Sequence, residues 1–174
     1  MAAELAEEES VRGMSLQNFA ASALFSHTFD EGMALVEETA HYLDGRGRTE
    51  SKNLQRKAQL VYAGESMRVT TRLMQAASWL LVQRAVQEGD MTVEDASADR
   101  YRLGGREICL AKREEGVGDM PAKLLDLLER SESLYKRIAR LDDVLFGGAA
   151  RGAGVATHFK ALEQAFGRVG GGQR

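Results

Sequence analysis

The chain has 174 residues, of which 44% are apolar and 28% charged, with a formal net charge of −3 and one cysteine. These values describe one soluble globular domain large enough for a real core. They argue against an electrostatic nucleic-acid binder, an internally disulfide-bonded protein and a membrane span.

Residues 1–18, opening MAAELAEEES, carry a glutamate run and read as a disordered acidic N-terminus. A signal peptide would be basic there, and the lone cysteine fits a reducing compartment, so a cytoplasmic protein is expected. A first helix follows over about 22–44. Thr28 and Glu31 have capping-box spacing, although the helical pattern extends upstream through Phe19, Leu24 and Phe25. From Phe29 the apolar positions run through Met33, Val36, Ala40 and Leu43 in steps of four and three. Gly45 then offers a C-terminal cap, and DGRGR reads as a loop.

The second helix is predicted over about 50–88, capped by Thr49 or Ser51 and ended by Gly89-Asp90. At about 1.5 Å per residue it spans nearly 60 Å, so neighbouring helices must run beside it. Thr92 and Asp95 have the spacing of a short capped helix. YRLGGREICL, within 98–112, reads as either a small hairpin about Gly104-Gly105 or an irregular segment. The third long helix covers about 120–146. Pro121 suits its first turn, and Leu124, Leu127, Ser131, Leu134, Ile138, Leu141 and Leu145 form an unbroken a/d seam. Gly147-Gly148 is expected to stop it. The all-α bundle domain thus spans 19–146. Residues 147–174 read as a flexible glycine-rich tail in which Phe159, Leu162 and Phe166 share one helical face, a docking element or a fragment that packs back on the bundle.

Catalytic constellations are not recognisable. Glu38 and His41 have Glu-x-x-His spacing, but a di-iron site needs a second copy, and neither His27 nor His158 has a glutamate three residues before it. Cys109 has no zinc-ligand companion and reads as structural. No dinucleotide, P-loop or nucleophile-elbow motif occurs. Catalytic residues, cofactors and metals are therefore expected to be none.

GESMRVTTRLMQAASWLLVQRAV, residues 64–86, holds the best polar group. On a helical wheel Val69, Leu73, Ala76 and Leu80 form one apolar flank and Met67, Met74, Ala77 and Leu81 the next. Glu65, Arg68, Arg72, Gln75, Trp79 and Gln83 fill the rest, with Glu65 in i,i+3 register to Arg68. Three readings stand: a solvated face with Trp79 over arginine stems, a partner interface, since Trp and Arg are enriched at hot spots, or an arginine pocket.

FDEGMALVEETAHYLDGRGR, LVYAGESMRVTTRLMQAASWLLVQRAV with EGDMT after it, and LLERSESLYKRIARLD, in that order, resemble the RcdA-type proteins of alphaproteobacteria, regulators of CtrA degradation. The resemblance covers about residues 19–146. It implies a dimeric bundle of three main helices with a mobile tail and no enzyme activity. It implies an adaptor that helps deliver cell-cycle regulators such as CtrA to the ClpX–ClpP protease, with recruitment through a response-regulator-type adaptor and to a cell pole. Protein partners are expected, and neither nucleic acid nor membrane. On this reading Glu65, Arg68, Arg72, Gln75 and Trp79, with Phe159, Leu162 and Phe166, are the candidate partner-binding residues. Two rivals are an all-helical enzyme of chorismate-mutase type, needing an enclosed arginine pocket, and a nucleoid-associated protein, disfavoured by the charge.

Overall fold

A computed structural model describes the backbone of residues 16–113 and 115–166, with side chains as far as Gly147 except that of Gln17. Among the described residues every regular element is helical, as expected, and the hairpin alternative for 98–112 is not what forms.

Leu16, Phe19 and Ala20 lie in a five-residue helix, α1 (Leu16–Ala20), and all three are buried. Order therefore begins inside the stretch expected to be disordered. The cause is Phe19, whose ring meets Phe25 edge-on at 5.8 Å and Trp79 at 6.1 Å. The rest of that expectation, residues 1–15, falls outside the described residues.

α2 (Ala23–Asp44) starts upstream of the Thr28–Glu31 box. Ser22 caps it, its Oγ accepting from the Phe25 N–H at 3.2 Å. Thr28 sits inside the helix, where its hydroxyl donates to the Leu24 carbonyl at 2.8 Å and so tolerates burial. The Gly45 N–H closes the helix on His41. The DGRGR stretch then forms helix rather than loop, α3 (Arg46–Lys52). Gly47 is buried there because a Cβ would lie 2.5 Å from the Tyr62 hydroxyl and 2.8 Å from the Tyr42 carbonyl. Tyr42 in turn donates to Glu50 at 2.8 Å, fixing α3 against α2.

The predicted second helix is consequently divided. Thr49 and Ser51 fall inside α3, and α4 (Arg56–Glu88) begins after Gln55. Its 33 residues span about 50 Å. Gly89, at φ +80°, takes the left-handed turn that stops it, a conformation costly for any residue with a Cβ. Thr92 caps α5 (Val93–Ala96) by accepting from the Asp95 N–H at 3.1 Å. One 3-10 turn (Asp99–Tyr101), the short helix α6 (Arg106–Cys109) and another 3-10 turn (Val117–Asp119) carry the chain back along α4.

α7 (Ala122–Phe166) opens just after Pro121, whose carbonyl accepts from the Leu125 N–H at 3.1 Å. Leu124, Leu127, Ser131, Leu134, Ile138 and Leu141 are buried, as the seam requires, and Leu145 at its end is half-buried. The expected stop at Gly147-Gly148 does not occur: α7 continues to Phe166. A glycine costs a helix only about 1 kcal/mol relative to alanine, and no proline removes a hydrogen bond. The expected helix end is thereby corrected, and residues 167–174 lie outside the description.

α4 is the central element, packed along both α2 and α7, which also touch each other. Leu35, Val69, Leu73, Leu80, Leu127, Leu134 and Ile138 fill the space between them. Each such side chain contributes about 1.5–3 kcal/mol by leaving water. Ion pairs tie α2 to α7 outside this core: Glu31 to Arg137, and Glu38 to both Lys123 and Arg130, the last at 2.7 Å.

Candidate partner-binding face

The polar face of α4 points inward. Glu65, Arg72, Trp79 and Gln83 are at most 1% exposed, the Arg68 side chain is 12% exposed, and Gln75 is half-buried. The expectation that this face is presented to another chain is corrected on that point: Arg68, Arg72 and Trp79 hydrogen-bond to other segments of the same chain, while the buried Gln83 amide has no hydrogen-bond partner among the described residues.

The segment after α5 lies across the face, and the polar side chains hold it there. Arg72 donates from Nε to the Cys109 carbonyl at 2.7 Å and from Nη1 to the Leu128 carbonyl at 3.2 Å. Its Nη2 stands 3.6 Å from the Glu132 carboxylate. Burial pulls the guanidinium below its ordinary pKa, and Glu132 opposes the shift. Arg68 donates to the Lys112 carbonyl at 3.1 Å and pairs with Glu65 at 3.1 Å, the i,i+3 pair read from the sequence. From α7, the Tyr135 hydroxyl donates to the Gly104 carbonyl at 2.6 Å.

Trp79 completes the arrangement. Its Nε1–H donates at 2.9 Å to Asp142, a residue that no sequence pattern marked. Asp142 is 1% exposed and also accepts from Arg102 Nε at 2.9 Å and Nη2 at 2.8 Å. That bond holds the Arg102 guanidinium above its ordinary pKa. A carboxylate so deep is stable only because it is paired and hydrogen-bonded. Tryptophan and arginines share a face, then, because each reaches a different acceptor on the strap or on α7.

Phe159, Leu162 and Phe166 lie on the backbone of α7, and their side chains are outside the described residues.

What α4 shows to solvent is the second apolar flank. Leu60 is 72% exposed, Met67 71%, Met74 63% and Leu81 53%. The charged residues of α4 between positions 58 and 83 are Glu65, Arg68 and Arg72, all turned inward. About 39 Å of this helix therefore faces water without a charge. Sequence reasoning placed Met67, Met74, Ala77 and Leu81 on the second apolar flank of this helix. The signal that separates them was present in the seven-residue spacing from Leu60 to Leu81.

Among the described residues, no group of three or more His, Cys, Asp and Glu side chains is placed to hold a metal ion. Glu38, the carboxylate of the Glu-x-x-His pair, is engaged by Arg130 and Lys123, which hold its pKa down to about 2. Cys109 is buried, and burial pushes its thiol up. No described helix is long and apolar enough to cross a membrane.

An all-helical bundle whose polar residues latch its own strap, and whose free face is apolar, is a scaffold that offers surface. Residues 16–166 match a family described as a protein of unknown function, DUF1465. A crystal structure of RcdA from Caulobacter crescentus CB15 is 54% identical, with a TM-score of 0.62, over 75% of this chain and 97% of that one. The chain belongs to this RcdA family. The family match extends past residue 146 to the end of α7. No curated protein matches the chain.

Proposed function

We propose that the protein is a non-enzymatic adaptor in regulated proteolysis, working as a homodimer that helps bring cell-cycle regulators such as a CtrA-like response regulator to the ClpX–ClpP protease. The observation that carries this reading is the 54% identity to RcdA across 97% of that chain. An adaptor acts by tethering: holding cargo near a machine raises its effective concentration without any bond being made or broken. The partners are a response-regulator-type adaptor and a protease substrate, with ClpX engaged indirectly, in the cytoplasm and at a cell pole.

The arrangement of α4 supports adaptor over enzyme. A chorismate-mutase-type pocket needs arginine donors free for a dianion, whereas Arg72 gives Nε and Nη1 to main-chain carbonyls. Within this reading Glu65, Arg68, Arg72, Gln75 and Trp79 act indirectly, by holding the strap in place. Phe159, Leu162 and Phe166 make the cargo contact, since their spacing places them on one helical face. The test is degradation of a CtrA-like substrate by reconstituted ClpX–ClpP with its adaptors, comparing full-length chains with chains ending at Phe146. Stimulation by the full chain and its loss on truncation are expected. Equal rates for both chains end the cargo role of the C-terminal segment, and no stimulation by either ends the adaptor reading.

A further inference from the structure

The strap is held more weakly than the bundle it crosses. From Gly105 to Arg113 only Cys109 is buried, and the larger apolar side chains Ile108 and Leu110 are 58% and 42% exposed. What fastens this stretch is polar. Arg72 and Arg68 reach the Cys109 and Lys112 carbonyls, and Arg106 and Arg113, each 39% exposed, pair with Asp143 and Glu132. Exposed ion pairs contribute little and weaken in salt.

The face beneath is polar as well, and incompletely satisfied. Arg72 Nη2 and both Glu65 carboxylate oxygens have no hydrogen-bond partner among the described residues. They are met by ion pairs alone, at 3.6 Å to Glu132 and 3.1 Å to Arg68. Lifting a cover from apolar side chains exposes them to water at full cost, whereas charged groups gain solvation. Glycines stand at both ends. Gly105, at φ +72°, opens the stretch, and Gly116, at φ +88°, follows it, where an added Cβ meets nothing within 4 Å. Just upstream, the Tyr135 hydroxyl pins the Gly104 carbonyl at 2.6 Å. The stretch therefore has a fixed root, a hinge and a fastening that water can replace.

We infer that Gly105–Arg113 is a latch that swings away from α4 on its own, about Gly105, while the three long helices stay packed. Opening takes the Cys109 and Lys112 carbonyls from Arg72 Nε and Arg68 Nη1 and turns those donors to acceptors on another chain. The polar face of α4 is thus gated: internal in the closed state, partner-facing in the open one. This gating goes beyond the adaptor reading and is independent of what the protein delivers.

Cys109 is the only cysteine and is 0% exposed on the latch, so its thiol reports opening. The full chain is alkylated with iodoacetamide across a urea series and followed by mass spectrometry, with global unfolding followed by circular dichroism. Below the unfolding transition the labelling rate is nearly flat in urea, because a local opening exposes little surface, and at least about tenfold above what the global equilibrium allows. Leu134, 1% exposed, lies in the core between the long helices. Leu134→Ala therefore lowers the urea midpoint and leaves the flat rate unchanged. Gly105→Ala, with native helicity, labels about five- to thirtyfold faster, because a Cβ strains the closed φ and not the open one. A rate that climbs with urea along the global unfolding curve overturns the latch. So does a rate that rises in Leu134→Ala in step with its lost stability, or a native rate in Gly105→Ala.

Discussion

Removing the Asp142 carboxylate tests the central claim about Trp79. In Asp142→Ala the Trp79 N–H, 1% exposed, loses its acceptor, and Arg102 loses two bonds under 3 Å. A buried donor left unsatisfied costs about 1–3 kcal/mol. Breaking a buried ion pair from one side raises the total to about 3–5 kcal/mol. In a chain of this size each kcal/mol moves the melting temperature by about 2–4 °C, so the midpoint falls by about 6–20 °C. Trp79 is the only tryptophan, so its fluorescence follows the same transition at the site of the change. Asp142→Asn retains one acceptor oxygen and falls between the two. Trp79→Phe costs less in the Asp142→Ala background than in the native chain, because the two residues act together. A midpoint within about 2 °C of the native value for Asp142→Ala would refute the reasoning and return Trp79 to the category of an interface residue.

Leu134→Ala, in the fully buried seam of α7, lowers stability by about 2–5 kcal/mol in a urea titration, with the slope unchanged. Gly47→Ala places a methyl 2.5 Å from the Tyr62 hydroxyl and costs about 1–3 kcal/mol, measured the same way. Glu38 has a folded pKa of about 2, below its ordinary 4.5, through Arg130 and Lys123. Its stabilising effect is therefore complete above the ordinary value and disappears as pH falls toward 2. Its side chain is one-third exposed, so solvent screening limits the effect to about 1 kcal/mol or less. Glu38→Gln melts below the native chain at pH 6, and the gap closes by pH 2 and narrows in high salt. A gap that is constant with pH removes the ionic explanation.

The three long helices were legible because their periods are strong and their ends are marked, as at Gly45 and Gly89. The sequence also carried the capped turn at Thr92 and the seam from Leu124 to Leu141. The rotation of α4 about its axis was not legible. With two apolar flanks and one polar one, hydrophobicity alone turns the polar flank outward. The opposite happens because Arg72 finds carbonyls at Cys109 and Leu128, and Trp79 finds Asp142, all distant in sequence. Periodicity within one helix contains no information about acceptors that another segment brings. The continuation of α7 through Gly147-Gly148 was missed for a different reason: paired glycines weaken a helix without forbidding it.

Three of the bonds that hold the strap over α4 are made to its main chain, beside the ion pairs of its Arg102, Arg106 and Arg113 side chains with α7. Arg68, Arg72 and Tyr135 donate to the carbonyl oxygens of Lys112, Cys109 and Gly104, and a carbonyl is the same whatever side chain the residue carries. Point substitution along the outer side of the strap leaves those three bonds in place, so that stretch is free to drift in sequence. Insertion or deletion is another matter. One residue more or less between Gly104 and Lys112 displaces a carbonyl by up to about 3.8 Å, beyond the reach of a fixed donor. The strap is thus constrained in length but permissive in spelling at its exposed positions, such as Glu107, Ile108 and Leu110, and for an engineer those are places to write new side chains without rewriting the bundle beneath.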